Sequence, residues 1–513
     1  MQTIWVLYDQ LWTGNAAFAG STAGTDRVLI IESAAFFRKL PHHRIKLSFF
    51  LSAMRHFAEE LEAAGWQVDY HQYRDAKDYQ SAIRTHVEKF RPSAIRVLAP
   101  NDYALQQSIP ALEEKSGVPI EVVPTNQFLL SREDFAKWAG SAKSLRMENH
   151  YRAIRKSLGV LMTPDGEPEG GAWNFDSENR GTVKDWKSAG APRPKPPPSI
   201  RRDGITKQVI LEVNDAFPEH PGDANNLWLP TTRGEALTWL QHFVEHRLGL
   251  FGPYEDLMIE GEPILFHSVL SPMLNIGLLT PMECVDAAIA SLRSKTPPPL
   301  KSVEGFVRQI IGWREFVNGV YWLRMPEFHK VNALKAATPL PGWLWEGTPP
   351  MHCMEVALTQ VRDTGLNHHI QRLMVLGNYF LLTGSRPQEV LEWYTAMYVD
   401  AHDWVMAANV LGMVLHADGG FMASKPYAAG AAYISKMSDY CTGCRYKPTV
   451  KTGPEACPFH SLYWSFYDRH QTRFARNPRV AMMIGSWNKR TPDEQNEIRN
   501  AASAWMVTHH PDS

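Results

Sequence analysis

Short runs of apolar and β-branched residues alternate with amphipathic segments along the first 130 residues of the chain. The runs that favour strands cover residues 3–11, 27–35, 67–73, 94–100 and 120–124. Between them, residues 44–64 show the clearest helical spacing of apolar positions. Alternating strands and helices predict a parallel α/β sheet of Rossmann-like type over about residues 1–130. Neither G-x-G-x-x-G nor G-x-x-x-x-G-K-[ST] occurs there, so the sheet alone indicates no ligand.

The hydrophobic pattern changes after residue 130. Residues 163–208 hold seven Pro and six Gly, which predicts an extended linker that can wrap one domain around another. From about residue 230 strand signals nearly vanish, and helical spacing recurs at 233–248, 281–294, 302–323, 353–383 and 387–398. The sequence therefore predicts an α/β domain over 1–130, a connector over 131–229 and an all-α domain over 230–513.

Length and composition describe a large globular protein with few cysteines. The chain has 513 residues, of which 44% are hydrophobic and five are Cys, too few for a disulfide scaffold and typical of a reducing cytoplasm. The N-terminus lacks the pattern of a secretory signal. The best candidate for a membrane span, residues 373–385, is shorter than the roughly 20 residues needed and contains Asn378. We expect a soluble, cytoplasmic protein.

Charge is distributed unevenly along the chain. The formal net charge of −1 excludes a generally polybasic nucleic-acid binder. Residues 436–490, however, hold ten Lys or Arg against three acidic residues, interleaved with nine Tyr, Phe or Trp. This composition fits a surface that binds phosphates and stacks on bases. A solvated basic face over an aromatic core is the alternative.

The cysteines form a compact pattern in the helical half. Cys441 and Cys444 form a C-x-x-C pair, Cys457 follows after twelve intervening residues, and Cys353 is available as a distant fourth ligand. Four thiolates suit either tetrahedral zinc or an iron–sulfur cluster, and a C-x-x-C pair alone also fits a redox dithiol. The Cys457-Pro458 step and the lack of a second C-x-x-C favour the cluster. Cys284 has the spacing of a core residue.

Adjacent histidines and a high density of tryptophan mark the same half. Neighbours on a helix point about 100° apart, so we expect that His368 and His369 do not both face one small site. Either could act as a general acid or base, although a core histidine is the alternative for both. Six Trp fall between residues 313 and 404. They are core material or carriers of single electrons to a redox cofactor.

Several long segments carry a resemblance to a known family. They are VEGFVRQIIGWRE (303–315), HHIQRLM (368–374), ADGG (417–420), SKPYAA (424–429), MSDYC (437–441), ACPF (456–459), SAMRHFAEEL (52–61) and WNFDSENR (173–180). With these motifs the chain closely resembles the iron–sulfur bacterial cryptochromes and prokaryotic (6-4) photolyases. The resemblance extends over nearly the whole chain.

The resemblance implies a fold and a set of cofactors. The fold is an α/β antenna domain plus an all-α domain that binds FAD and an iron–sulfur cluster. A [4Fe-4S] cluster would be held by Cys353, Cys441, Cys444 and Cys457. FAD would be held by His267, Ser268, Leu270, Ser271, Gln309, Trp313, Arg314, Arg372, Asn378, Asp400 and Asn409. The family also implies an antenna chromophore, a lumazine or a deazaflavin.

The resemblance further implies an activity. Excited reduced FAD would donate an electron to a pyrimidine dimer flipped out of UV-damaged DNA, most typically a (6-4) photoproduct. His369 would be the proton donor, with His368, Tyr427 and Tyr433 beside the lesion. Trp393, Trp345 and Tyr394 would carry electrons during photoreduction. We expect a monomer without an obligate protein partner.

Some positions depart from the family pattern. Met406 stands where the family has a glutamate near the flavin, and Asn367 and Leu415 also differ around the lesion pocket. At the antenna site, Phe36 and Asn101-Asp102 replace a glutamate and a Gly-Glu step. Two alternatives therefore stay open beside (6-4) repair: a blue-light photoreceptor with weak or no repair, and a photolyase for cyclobutane dimers. A light-independent nucleic-acid-binding module is a third hypothesis.

Overall fold

The N-terminal part is built on a five-stranded parallel sheet. A computed structural model of the chain describes residues 1–142 and 144–510. The strand order is β3-β2-β1-β4-β5, and the strands are β1 (Thr3–Val6), β2 (Arg27–Ile31), β3 (Gln67–His71), β4 (Ile95–Leu98) and β5 (Ile120–Val123). All neighbouring strands are parallel. The predicted parallel sheet and the places of its strands are therefore confirmed.

Helices cover both faces of this sheet and continue into the connector, as expected for a parallel sheet. They are α1 (Ala34–Phe37), α2 (Arg44–Ala63), α3 (Tyr79–Phe90), α4 (Tyr103–Ser116), α5 (Arg132–Ser141), α6 (Met147–Leu158), α7 (Val183–Ser188) and α8 (Gly204–Ala216). Short 3₁₀ turns lie at Ala16–Phe18, Glu169–Gly171, Asp176–Glu178 and Ala224–Asn226.

The second half of the chain is almost entirely helical. Its helices are α9 (Arg233–His246), α10 (Leu248–Tyr254), α11 (Ser271–Ile276), α12 (Pro281–Ser291), α13 (Leu300–Val307), α14 (Glu315–Arg324), α15 (His352–Thr364), α16 (Asn378–Thr383), α17 (Pro387–Met397), α18 (Asp403–Met406), α19 (Ala431–Met437), α20 (Pro458–Arg469), α21 (Gln471–Phe474), α22 (Ala481–Asn488) and α23 (Pro492–His509). Three further segments are π-helical: Arg308–Arg314, Gln371–Gly377 and Ala407–Val414. Turns of 3₁₀ type lie at Glu327–Lys330, Gly342–Leu344 and Tyr440–Thr442.

The single helix predicted over 353–383 is wrong. Gly365, with φ +68°, ends α15 in a left-handed cap, and its N–H donates to the Val361 carbonyl. A Cβ at Gly365 would lie 2.5 Å from Val399 Cγ1, so both the turn and the packing require glycine. The next helical residue is His369, which leaves His368 outside the helix.

The hydrophobic core of the sheet continues into the helical half. On one sheet face, Ile4 and Phe49 belong to the same buried cluster as Trp239, Phe243 and Phe306. A separate cluster around Trp5 and Ile83 covers the other face. The proposed domain boundaries at 130 and 230 stay predictions, because packing crosses both of them and the last three residues of the range 230–513 lie outside the described part.

The proline-rich segment runs along the surface of the helical half. Trp186 Nε1 donates to the Pro192 carbonyl at 2.9 Å, and Trp239 Nε1, on α9, donates to the Pro198 carbonyl at 3.0 Å. Both indoles therefore hold the extended chain by its backbone.

Across residues 1–142 and 144–510, no helix combines the length and the apolar character that crossing a bilayer requires.

A buried ion-pair network joins α2 to the sheet. We expect the free energy of unfolding to depend strongly on it. Arg55 Nε lies 2.8 Å from Glu32 Oε1, and Arg55 Nη2 lies 2.8 Å from Glu212 Oε2 on α8. The Glu32 side chain is fully buried. Arg55→Met leaves that carboxylate without its counter-charge and should lower the free energy of unfolding by about 3 kcal/mol.

Urea unfolding followed by circular dichroism measures the loss. Arg84→Met is the matched control, because Arg84 pairs with Glu88 at 3.9 Å on an exposed face and should contribute less than about 0.5 kcal/mol. Equal midpoints for the two variants would contradict this account of α2.

Candidate functional site

A cavity of about 490 Å³ lies inside the helical half. All three π-helical segments contribute side chains to its wall, among them Gln309, Arg372 and Asn409. A π turn holds an extra residue and is frequent at functional sites. Two of these segments pack closely against each other at Gly377, where a Cβ atom would lie 2.4 Å from Val414 Cγ1. The cavity is thus framed by irregular helix together with the loops that carry Ser268, His368 and Asp400.

A buried ion pair forms one side of the cavity. Arg372 Nη1 and Nη2 lie 2.9 and 3.1 Å from the two carboxylate oxygens of Asp400. Burial alone would raise the pKa of Asp400, but Arg372 and the Ser271 hydroxyl, which donates at 2.7 Å, hold that pKa below its usual value. The guanidinium also lies over the Tyr398 ring, 3.9 Å from its centroid. This side of the cavity is charged, paired and rigid.

Three histidines line the cavity together. His267 and His368 are stacked with ring centroids 4.3 Å apart, and His267 Nε2 and His368 Nδ1 have no hydrogen-bond partner. His369 has side-chain surface open to the cavity although it lies deep in the protein. Burial and, to a smaller extent, the positive charge of Arg372 lower the pKa of His369 to about 4. In the free protein the neutral imidazole therefore predominates near neutral pH.

The expectation that His368 and His369 do not both face one site is wrong for this cavity. The 100° rule applies only within a helix, and His368 precedes the first helical residue, His369. Both rings can therefore reach the same space.

Most of the predicted FAD-binding residues line the cavity: His267, Ser268, Ser271, Gln309, Trp313, Arg314, Arg372, Asp400 and Asn409. Leu270 and Asn378 do not. Leu270 is buried just before α11, and the Asn378 amide exchanges two hydrogen bonds of 2.9 Å with the backbone of Ala429. Of the predicted lesion-pocket residues, His368, His369 and Tyr427 line the cavity, whereas Tyr433, on α19, does not.

An aromatic path leads away from the cavity. Tyr394 lines the wall, its ring centroid lies 5.4 Å from that of Trp393, and its hydroxyl donates to the Arg372 carbonyl at 2.7 Å. Tyr398, 5.3 Å from Tyr394, is a third member that the sequence did not single out. Trp345 is 37% exposed, beside the turn at Gly342–Leu344, and is absent from the ring contacts of Trp393 in the described structure.

The four predicted cluster cysteines surround one small, mostly apolar space. Cys353, Cys441, Cys444 and Cys457 line it together, and none is disulfide-bonded. Within the described ranges, only Asp69, His71 and His86 place three such ligand atoms within 4.8 Å of one another. Thiolates on one tetrahedral zinc lie about 3.8 Å apart, given Zn–S bonds of about 2.3 Å. The spacing therefore suits a group larger than a single ion.

Comparison with known proteins places the chain in a family. A family model described as deoxyribodipyrimidine photo-lyase-related protein matches residues 4–229. A (6-4) photolyase of Agrobacterium fabrum is 38% identical over 508 residues, which cover 98% of this chain and 99% of that protein. The chain belongs to the (6-4) photolyase family. The resemblance inferred from the sequence motifs is thereby confirmed.

A solved structure supports the same photolyase fold. The crystal structure of a bacterial class III photolyase from Agrobacterium tumefaciens superposes with a TM-score of 0.53 at 14% identity, covering 97% of this chain and 91% of that one. The photolyase family generally implies a flavin cofactor.

Some cavity residues of this photolyase-family chain were missed from the sequence. Asp176, Glu255, Asp256 and Arg308 form a charged part of the wall. Burial raises the pKa of Asp256 to about 6 and that of Glu255 well above its usual value. Asp176 and Arg308 lie inside two of the motifs that carried the resemblance, which could have indicated them. Glu255 and Asp256 had no such signal.

The positions that depart from the family pattern differ in whether they line the cavity. Met406 and Asn367 line the cavity, whereas Leu415 does not. In the N-terminal part, Phe36 packs on Tyr8 with centroids 4.5 Å apart, and Asn101 donates to Asp9 and Gln127. Asp102 caps α4. Packing and capping therefore account for the altered antenna positions.

The basic segment 436–490 separates its charges from its rings. Nine of its ten Lys or Arg residues are exposed, the exception being the half-buried Arg490. Seven of its nine aromatic residues are buried, and Tyr463 and Trp464 are half-buried. The expectation of interleaved base stacking is wrong for those seven, because packing places the rings inward and the charges outward.

We expect Asp400→Asn to weaken flavin retention by about tenfold or more. The substitution leaves the buried Arg372 guanidinium without its counter-charge, at a cost above about 1.4 kcal/mol. The measurement is the flavin absorbance per chain after purification and dialysis. Glu389→Gln, which breaks an exposed pair with Arg386 on α17, is the control and should retain flavin fully. Equal retention in both variants would refute a role for the ion pair.

Proposed function

We propose that the protein is a light-driven DNA repair photolyase that splits (6-4) photoproducts. The observation that carries this proposal is His369, whose imidazole is open to a deep cavity in a chain that belongs to the (6-4) photolyase family. A flipped lesion would enter this cavity, and a proton donor is the group that its repair requires.

The cavity offers polar groups that suit FAD. Arg314 Nε and Nη2 and His267 Nε2 are buried and find no hydrogen-bond partner among the described residues, and both side chains line the wall. Buried polar groups are normally paired, so such orphans favour a bound ligand. Arg314, Arg372 and Asn409, with Ser268 and Ser271, supply guanidinium, amide and hydroxyl groups for a pyrophosphate and a flavin ring. When bound and reduced, FAD supplies the electron that blue light transfers to the lesion.

The chain's own residues hold and move the proton. Arg372 anchors the turn that precedes His369, since its Nε donates to the Asn367 carbonyl at 2.8 Å and its side chain is held by Asp400. Its lowered pKa keeps His369 neutral near pH 7. An anionic, phosphate-bearing lesion raises the pKa of a neighbouring imidazole. Binding thus charges His369 where the proton is needed, and His368 and Tyr427 line the same pocket.

Tyr394 and Trp393 form the inner part of an electron route toward the protein surface. Their rings lie within 5.4 Å of each other, and Tyr394 borders the cavity. Trp345, which is exposed, would be the outer member. We propose that this route returns electrons to an oxidised flavin.

The four cysteines fit a [4Fe-4S] cluster. They line one space, are free of disulfides and are spaced more widely than the ligands of a single zinc ion. Burial raises the pKa of the Cys353 and Cys457 thiols, and a bound metal cluster would compensate by taking them as thiolates. An antenna chromophore, a cytoplasmic location and a monomeric state stay predictions.

A blue-light photoreceptor is the second candidate, and Met406 favours it. This side chain lines the cavity and can neither ionise nor donate a hydrogen bond. A photoreceptor would show flavin photoreduction without restoration of bases.

Repair of a lesion-bearing oligonucleotide under blue light tests the proposal. We expect the wild type to restore the bases of a (6-4) lesion, and His369→Ala to lower the rate by about 100-fold or more, because general acid catalysis contributes that much. Flavin photoreduction should be unaffected. His470→Ala is the control, since His470 lies outside the cavity. Photoreduction without any repair by the wild type would favour the photoreceptor, and repair of cyclobutane dimers alone would reassign the lesion.

Iron and acid-labile sulfide content test the cluster. We expect Cys457→Ser to lose iron, because a serine hydroxyl is a poor ligand for the cluster. Cys284→Ser should retain it, since Cys284 is buried in a different hydrophobic cluster. Zinc in place of iron in the wild type would contradict this assignment.

A further inference from the structure

A second group of metal-ligand side chains lies at the edge of the N-terminal sheet, and the proposed function does not use it. Asp69 and His71 are two residues apart on the edge strand β3, so they share one face of the sheet. His86, on α3, packs against that face. Asp69 Oδ2 lies 2.8 Å from His71 Nε2 and 2.8 Å from His86 Nδ1. In the described ranges, this is the one group that places three such ligand atoms within 4.8 Å.

The surroundings orient these ligands. His86 is fully buried, and its Nε2 lies 2.8 Å from the Thr3 hydroxyl, which can accept a hydrogen bond and leave Nδ1 free to face the site. Lys89 Nζ lies 3.6 Å from Asp69 Oδ1, the oxygen that does not contact the histidines. Such outer contacts fix the tautomer of ligating imidazoles and hold ligating carboxylates.

The site is closed on one side and open on the other. The side chains of His71 and Asp69 are 14% and 11% exposed, and that of His86 is fully buried. An ion can therefore enter from solvent, and water can complete its coordination.

We propose that Asp69, His71 and His86 bind one divalent cation of the zinc class. Two imidazoles and a carboxylate suit Zn²⁺ or a neighbouring transition ion, whereas Mg²⁺ and Ca²⁺ prefer oxygen ligands. Ligands on a tetrahedral zinc lie about 3.4 Å apart, so the site must widen by about half an ångström. The ion ties the edge strand β3 to α3. This site is separate from the four cysteines and does not depend on the repair activity.

Zinc binding by the full-length holoprotein, produced without a histidine tag, tests the site. The protein is dialysed against a mild chelator and titrated with zinc sulfate by calorimetry, and bound zinc and iron are then counted per chain. We expect the wild type to bind about one zinc more than His71→Ala and Asp69→Asn, with equal iron in all three. Zinc should raise the Tm of the wild type alone among these three proteins.

His56→Ala is the matched control. His56 lies in the same part of the chain and pairs with Asp203 at 2.7 Å, but without a second imidazole. This variant should keep both the zinc and the Tm shift. Equal zinc in the wild type and His71→Ala overturns the proposal, and so does a wild type that binds no zinc. Because His71→Ala could unfold locally, His71→Gln is a second test, and it too must lose the zinc.

Discussion

The buried pair of Arg372 and Asp400 is the constraint on which the arrangement of the cavity depends. Asp400 accepts from Ser271 at the start of α11, and its backbone carbonyl accepts from Asn275 of the same helix. Arg372 holds the Asn367 carbonyl, just before the two histidines, and its own carbonyl accepts from Tyr394. One ion pair therefore fixes the helix, the histidine turn and the aromatic path relative to one another. Such a pair adds little net stability, but removing either partner leaves a buried charge.

The irregular helices give the cavity its shape. A regular α-helix presents one side chain about every 100°, which limits how many side chains can converge on a ligand. The three π-helical segments relax that limit, and Gly377 lets two of them approach closely, since any Cβ there would meet Val414. The helical part of the wall can thus carry several polar groups, and loops add Ser268, His368 and Asp400.

Local patterns in the sequence were enough to predict the sheet, the helical half and the grouping of the cysteines. The strands are short and β-branched, and the C-x-x-C pair with Cys457 lies within seventeen residues. The errors have a common cause in tertiary context. A single left-handed glycine, Gly365, moved His368 out of the helix. The rings of residues 436–490 are sorted inward by packing, which a composition count does not register. Glu255 and Asp256 line the cavity because of how the chain folds in three dimensions, and no sequence motif indicated them.

The separation of charge from rings in residues 436–490 limits what this surface can offer to a nucleic acid. A surface that offers guanidinium and ammonium groups, with its aromatic residues mostly buried, neutralises phosphates and releases their counterions but has few means of telling bases apart. If this surface binds DNA, its affinity for intact duplex would fall steeply with ionic strength and vary little with sequence. Such contacts permit sliding along the duplex. Discrimination would then fall to the proposed lesion pocket, which a nucleotide would enter by leaving its stack.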